Sequence, residues 1–359
     1  MNLWITDRQR LVTDPPPTNP YFKAAYDFAV AWLRGQTEFV LNTSGSTGTP
    51  KPIRIQRTQM EASAWTTGSA LELGAGTRAL VCLNTEYIAG RMMLVRALVL
   101  DWEIVVIEPT ANPLAGFDSE TFFDFVAMVP LQLTSCLADD TTRPRVEQCG
   151  KILLGGAPIS QILEADIQRL KVPVYQSYGM TETVSHVAIR RINGPQRTEL
   201  YQMLGGVEFG VDDRGCLWVR GAVTNFETIQ TNDLVKIEAG GTFLWMGRAD
   251  SVINSGGIKI HLDKLDRLAE AILNEMNISN RYFHWREKDQ KLGEKLVLFI
   301  EKKPCVVNVR ELLANFAAQV SAYEVPKAVY QVDEFKRTPT AKIDKNATAQ
   351  AYFTLNSLK

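Results

Sequence analysis

Thr43-Ser-Gly-Ser-Thr-Gly-Thr-Pro-Lys51 follows a short apolar run, Glu38-Phe-Val-Leu41, and stands ahead of a segment with helical spacing, Thr58–Leu71. Five hydroxyl side chains and two glycines place many O–H and N–H donors on a backbone that can bend close to a bound group. Lys51 adds a mobile positive charge. Such a loop suits phosphate oxygens, whose charge must be neutralised as pyrophosphate leaves. It is not the Walker pattern, because no Gly-Lys-Ser/Thr closes it. A flexible linker has a similar composition. Placement between a strand and a helix capped by Thr58 and Glu61 favours phosphate over linker.

Outward from this loop, short apolar runs alternate with helix-like segments. Ala79–Leu83, Glu103–Ile107, Lys151–Leu154 and Val172–Tyr175 read as strands. Thr58–Leu71, Ile88–Leu100, Phe122–Val129 and Ile159–Leu170 read as helices. The alternation predicts a layered α/β body with parallel strands. From about Val187 closely spaced strands follow: Val207–Val211 and Cys216–Arg220 flank the turn Asp212-Asp-Arg-Gly215 as a hairpin, with Thr242–Met246 and Ser251–Ile253 beyond. After Gly256-Gly257 the order helix (Leu262–Leu273), strands (Arg281–Trp285, Leu296–Ile300), helix (Val309–Val320), strand (Ala328–Val332) reads as a separate α+β block. The expected domains are therefore 1–249, with a β-rich section in its second part, and 250–359.

Composition sets limits on function. With 359 residues, two domains are expected. Thirty-nine basic and forty acidic side chains leave a net charge of -1, which argues against a chain that wraps nucleic acid through bulk electrostatics. No apolar stretch approaches a spanning helix, so no membrane insertion is expected. MNLWITDRQR lacks the pattern of a secretory leader. Cys82, Cys136, Cys149, Cys216 and Cys305 are scattered and never spaced C-x-x-C, so reduced thiols and a cytoplasmic location are the expectation. His186, His261 and His284 form no zinc-like cluster in sequence.

Four further blocks follow the hydroxyl-rich loop: Tyr178-Gly-Met-Thr-Glu-Thr183, Thr231-Asn-Asp-Leu234, Gly247-Arg-Ala-Asp250 leading to Gly256-Gly257, and Arg337-Thr-Pro-Thr-Ala-Lys-Ile-Asp344. In this order, over residues 43 to 344, they resemble the acyl-adenylate-forming superfamily, which includes acyl- and aryl-CoA synthetases, luciferases and adenylation domains. The resemblance implies a large N-terminal domain and a small mobile α+β lid. It implies ATP, Mg2+ and the cosubstrate CoA. Thr43, Ser44, Gly45, Ser46, Thr47, Gly48 and Lys51 would cradle the triphosphate. Gly155, Gly156 and Ala157 would let backbone approach the nucleotide, and Tyr178 with Gly179 would lie along adenine. Thr181 would touch the α-phosphate, and Glu182 would hold magnesium. Asp233 would accept from the ribose hydroxyls and Arg248 would donate to the sugar. Asp250 would be the hinge, and Gly256 and Gly257 would make room for the pantetheine arm. Lys342 would be the catalytic lysine, a long cationic stem that offsets charge growing in the transition state. The family usually places glycine before that lysine; here Ala341 stands there.

Glu86-Tyr-Ile-Ala-Gly-Arg-Met-Met-Leu-Val-Arg-Ala-Leu-Val-Leu100 bears on the acid. On a helix, Arg96 has Met92, Met93, Val99 and Leu100 as its neighbours three and four residues away. A guanidinium on such a face needs an anion or a route to water. An internal ion pair would serve as well as a substrate carboxylate. The spacing Gly90 to Arg96 resembles that of the o-succinylbenzoate–CoA ligases of menaquinone biosynthesis, which implies an aromatic dicarboxylic acid with its second carboxylate on Arg96. Thr85, Glu86 and Tyr87 would line the acyl pocket. About forty residues precede the phosphate loop, which fits the shorter members of that group, whereas most of the superfamily has a long additional segment there; a homodimer is one way to cover the surface such a segment would pack on. Other expectations consistent with the residues are another aryl- or acyl-CoA ligase, an enzyme loading a carrier protein, and a nucleotide-binding relative without catalysis.

Overall fold

Continuous apolar runs cannot show which face they bury, and in this chain they bury both. The computed structural model describes residues 2–42, 52–337 and 343–356. Its contacts divide into two units, one taking most of the chain up to Trp245, the other Met246–Lys359 together with Asn232–Leu234. In chain order the first part holds β1 (Leu3–Thr6), α1 (Arg10–Thr13), α2 (Pro20–Leu33), β2 (Glu38–Asn42), β3 (Pro52–Gln56), α3 (Arg57–Leu71), β4 (Arg78–Val81), α4 (Ile88–Leu100), β5 (Glu103–Ile107), β6 (Phe123–Met128), α5 (Pro130–Ala138), α6 (Arg143–Val146), β7 (Cys149–Leu154), α7 (Gln161–Ile167) and β8 (Val174–Gly179). Then come β9 (His186–Arg191), β10 (Leu200–Met203), β11 (Val207–Val211), β12 (Cys216–Gly221), β13 (Ile229–Glu238) and β14 (Thr242–Arg248).

Twelve of these strands make one sheet in the order β1-β5-β4-β6-β7-β8-β9-β10-β14-β13-β12-β11. Strands β5, β4, β6, β7 and β8 run parallel. The direction reverses at β9, which is antiparallel to β8 and to β10. One face of the parallel stretch, with Ala79, Val81, Val106 and Phe125, packs in a core with α2, α3 and α4. The other, with Leu80, Val105, Val126 and Ile152, packs with α5 and α7. Burial on both faces is what a parallel sheet requires.

Three expectations need correcting. Phe122–Val129 is not helical: Phe123–Met128 is β6 at the centre of the sheet, and a run buried on both faces carries no period that separates helix from strand. Glu38–Leu41 does not join the parallel sheet, because β2 pairs only with β3, antiparallel, with Asn42 opposite Pro52. Residues 43–51 therefore connect two strands of a ribbon and not a strand to a helix. Helix α3 begins at Arg57 after Gln56, whose backbone N–H donates to the Gln59 side chain at 2.9 Å. Thr58 and Glu61 do not form its cap; Glu61 instead accepts from Arg57 at 2.7 Å.

The second unit continues with β15 (Val252–Ser255), β16 (Ile258–His261), α8 (Leu262–Glu275), β17 (Tyr282–Asp289), β18 (Gly293–Glu301), α9 (Val309–Gln319), β19 (Ala328–Val332) and α10 (Lys345–Asn356). Its sheet runs β16-β15-β18-β17, with β19 parallel to β18. Leu298 and Ile300 of β18 meet Ala269 and Ile272 of α8 and Leu312 and Phe316 of α9 in the core.

Candidate active site

Helix α4 is apolar almost all round, the pattern of a helix enclosed by its neighbours. Tyr87 stands at its N-cap, itself exposed, and Thr85 beside it is buried. Gly90 is dictated by space: a Cβ there would lie 2.3 Å from the Asn84 carbonyl oxygen and 2.6 Å from that of Leu83, both backbone. Arg91 turns its guanidinium over the Phe28 ring at 4.8 Å and donates to the Thr85 carbonyl at 3.1 Å.

Arg96 is 2% exposed. Its Nε donates to Thr67 Oγ1 at 3.2 Å, and its Nη2 donates to Ser185 Oγ at 3.0 Å and faces His186 Nδ1 at 3.5 Å. Among the described residues its Nη1 meets the thioether of Met93, at 3.7 Å, and no other acceptor. Every one of these partners is neutral, and among the described residues no carboxylate pairs with the guanidinium. Burial alone pulls its pKa down to about 10. The internal ion pair that would have made this arginine purely structural is thus not found among the described residues.

Ser185 and His186 reach Arg96 because of a strained bend. Thr181–Thr183 form a 3-10 turn after β8, and Val184 then takes φ 65° and ψ -52°. The Ser185 N–H donates to the Thr183 carbonyl at 2.7 Å, closing a γ-turn in its rare positive-φ form. A β-branched residue there costs on the order of 1–3 kcal/mol. Thr183 holds the bend, its buried hydroxyl bonded to the Met180 N–H at 3.0 Å and to the Ser185 carbonyl at 2.7 Å. Gly179 is needed just before, since a Cβ there would sit 2.3 Å from the Ser185 carbonyl oxygen. Sequence reasoning singled out neither Ser185 nor His186 nor Thr67 as a site residue. The first two directly follow the Tyr178–Thr183 block, which was a usable signal; Thr67 enters only through tertiary packing.

The same bend carries the other expected residues of this unit. Tyr178 is the penultimate residue of β8, with its ring edge-on to Phe243 at 5.3 Å and Tyr201 at 5.9 Å. Glu182 is exposed on the turn, with Thr181 beside it. Among the described residues no three His, Cys, Asp or Glu side chains gather to hold a metal. A single carboxylate nevertheless fits Mg2+, which keeps waters and substrate phosphate oxygens as its remaining ligands. Gly155 lies against β8, where a Cβ would meet Ser177 Oγ at 2.5 Å, and Gly156 has φ +80°. Tyr178, Gly179, Thr181 and Glu182 therefore follow one another along the end of β8 and the turn after it, with Gly155 beside Ser177 and Arg96 against Ser185 and His186.

In the second unit Arg248 donates to both carboxylate oxygens of Asp250, at 2.8 and 2.7 Å, and approaches Asp233 at 3.8 Å. The paired hydrogen bonds to Asp250 raise the arginine's pKa, and those from Arg248 hold the Asp250 carboxyl below its ordinary range. Asp233 is buried. Gly256 and Gly257, with φ +60° and +84°, form the two-residue turn joining β15 to β16, a geometry that glycine satisfies. The loop residues Thr43, Ser44, Gly45, Ser46, Thr47, Gly48 and Lys51, and Lys342, lie outside the described residues. A cleft of about 670 Å³ beside β9 and β10, walled by Trp65, Tyr175, Ile189, Arg191, Leu200 and Leu204, includes none of the expected site residues.

Comparison with known proteins bears on the family and the fold. Residues 23–221 match the family described as AMP-binding enzyme. The chain is 26% identical to the 2-succinylbenzoate–CoA ligase of Bacillus cytotoxicus, over 85% of this chain and 68% of that protein. Among solved structures, it is 56% identical to the acyl-CoA synthetase (AMP-forming)/AMP-acid ligase II-like protein of Dyadobacter fermentans, with TM-score 0.69 over 98% of this chain and 99% of that one. The o-succinylbenzoate coenzyme A synthetase of Bacillus subtilis, solved with ATP and magnesium, shares the fold at 21% identity and TM-score 0.70, over 86% of this chain and 69% of that one. The chain belongs to the AMP-binding enzyme family, as an acyl-adenylate-forming ligase of the AMP-forming acyl-CoA synthetase kind.

Proposed function

We infer that the protein activates o-succinylbenzoate with ATP and transfers the acyl group to CoA. The observation that supports this acid is Arg96, a buried guanidinium whose described partners are all neutral. A buried cation is stable only when paired or solvated, and a dicarboxylic substrate supplies the missing anion through the carboxylate that is not activated.

One oxygen of the succinyl carboxylate attacks the α-phosphorus of ATP; the bond to the bridging oxygen breaks and pyrophosphate leaves, giving the acyl-adenylate. Thr43–Lys51 receive the phosphates, Thr181 and Glu182 stand at the α-phosphate end, and Lys342 offsets the growing negative charge. Glu182 would hold magnesium, which when bound would supply charge neutralisation at the phosphates. Arg96 holds the distal carboxylate, so the succinyl arm is presented in one orientation. The CoA thiolate then attacks the acyl carbon and AMP departs. A thiol with pKa about 8.5 is partly ionised at neutral pH, so this step needs no dedicated base. The lid, residues 250–359 swinging at Asp250, separates the half-reactions.

Mass-spectrometric detection of o-succinylbenzoyl-CoA from acid, ATP and CoA tests the reading. Product with o-succinylbenzoate and little with benzoate or a fatty acid is expected. Turnover of those acids but not of o-succinylbenzoate overturns the substrate; product only on a phosphopantetheinyl carrier protein overturns the acceptor. Lys342→Ala should abolish pyrophosphate exchange while sparing thioester formation from supplied acyl-adenylate, and equal loss in both steps removes the lysine from the first.

A further inference from the structure

The distances around Arg96 point to one tautomer of His186. A guanidinium only donates. His186 Nδ1, facing Nη2 at 3.5 Å, must therefore present a lone pair, which places the imidazole proton on Nε2, where Thr67 Oγ1 accepts it at 3.2 Å. Thr67 Oγ1 also accepts from Arg96 Nε and donates its own proton to the Ser63 carbonyl at 2.8 Å, so its capacity is filled. Ser185 Oγ accepts from Nη2 at 3.0 Å and lies 3.4 Å from His186 Nδ1, whose single lone pair already faces Nη2.

The donor count for the guanidinium follows. Nε–H goes to Thr67, and the two protons of Nη2 go to Ser185 and His186. Two N–H groups remain on Nη1, opposite a sulfur that accepts weakly. From α3 the imidazole meets Thr67, from α4 Arg96, and from its own turn Ser185; no carboxylate is among its described partners. Burial, and then the charge of Arg96, hold the His186 pKa well below its ordinary value.

We propose that His186, carrying its proton on Nε2, is the positioning residue that locks Arg96 and leaves Nη1 as the nitrogen that receives the distal carboxylate of the substrate. This deepens the proposed function and rests on it. A carboxylate met through one nitrogen, not through the parallel fork of two, is recognised by charge and placement more than by planarity. The tautomer is the working part: with the proton on Nδ1, that N–H would oppose the guanidinium and turn Nη2 out of register.

Two measurements on the full chain test this. The first is 15N NMR of the imidazoles at pH 6 to 8, with the His186 signal assigned by its loss in His186→Phe. A neutral ring protonated on Nε2 is expected; an imidazolium at pH 7, or a proton on Nδ1, overturns the proposal. The second compares kcat/KM for o-succinylbenzoate with that for 4-oxo-4-phenylbutanoate, which lacks the ring carboxylate. His186→Phe should lower this ratio about tenfold, the loss expected for one misplaced charge-assisted hydrogen bond. His186→Gln, which again offers one donor and one acceptor, should recover it to within about threefold. An unchanged ratio in His186→Phe, or equal damage in both variants, overturns the role. Should the wild-type protein ignore o-succinylbenzoate, the substrate assignment fails by itself, and the NMR pattern still decides the arrangement of His186 and Arg96.

Discussion

Replacing Arg96 by methionine separates a structural arginine from one kept for an incoming anion. Methionine is unbranched and of similar length, so it fills the same channel between α3 and α4. The cost of the charge is visible in its pKa, which falls from 12.5 to about 10 through burial, equivalent to ~3 kcal/mol against the charged form. Hydrogen bonds lost to Thr67 and Ser185 offset much of this, at roughly 1 kcal/mol each. Neither hydroxyl is orphaned, since Thr67 keeps the Ser63 carbonyl and Ser185 keeps His186. The net change in the free protein should be between zero and about 2 kcal/mol in favour of methionine, a rise in Tm of up to roughly 3 °C. With substrate the order inverts. Saturating o-succinylbenzoate at about 100 times Kd should stabilise the wild type by about 2.7 kcal/mol and the variant far less. In pyrophosphate exchange the KM for this acid should rise roughly 10- to 100-fold. Thermal scans with and without acid, alongside exchange kinetics, check both halves. A variant that melts well below the wild type without ligand, and loses activity equally on mono- and dicarboxylic acids, would refute the reasoning.

Three further outcomes follow from the geometry. The unfolded chain protonates His186 near 6.5 while the folded chain resists it, so the unfolded state binds more protons and stability falls as pH drops below 6.5; the decline should approach about 1.4 kcal/mol per pH unit from this group, and its absence in His186→Phe urea titrations is the check. Gly90→Ala must displace backbone at Asn84 and Leu83, and should cost roughly 2–3 kcal/mol in chemical denaturation while Gly74→Ala, where a Cβ meets nothing within 4 Å, costs much less. In the second unit, Asp266 accepts from His284 Nδ1 at 2.8 Å and from Lys345 at 2.7 Å. Burial pushes its carboxyl up, but His284 and Lys345 together hold it below the ordinary value of 3.8. Asp266→Asn should cost about 2 kcal/mol at pH 7, a difference that shrinks below pH 3.8 as the wild type protonates.

The layered α/β character and the order of the nucleotide blocks were legible because they rest on local features: apolar runs bounded by turn residues, and motifs with fixed spacing. The errors came where local features are ambiguous. Phe123–Met128 is apolar on both faces, so only its place at the centre of the sheet decides that it is a strand. The cap at Gln56 outcompeted Thr58 because the chain enters α3 straight from β3, which fixes where the helix can begin. Arg96 was singled out by its apolar neighbours, but its environment comes from α3 and from the bend before β9, and His186 read as a lone histidine because its partners are 119 and 90 positions away. At Gly179 and Gly90 the backbone oxygens crowding them require glycine independently of any bound ligand.

The register shift at Tyr178/Gly179, where the sheet turns from parallel to antiparallel, ties two recognition tasks to a single count of residues. Deleting one amino acid between Gly179 and His186 would send alternate side chains of β9 to the opposite surface, exchanging the imidazole for valine beside the guanidinium. The number of residues through this bend is therefore as tightly set as the Gly179 and Thr183 that shape it.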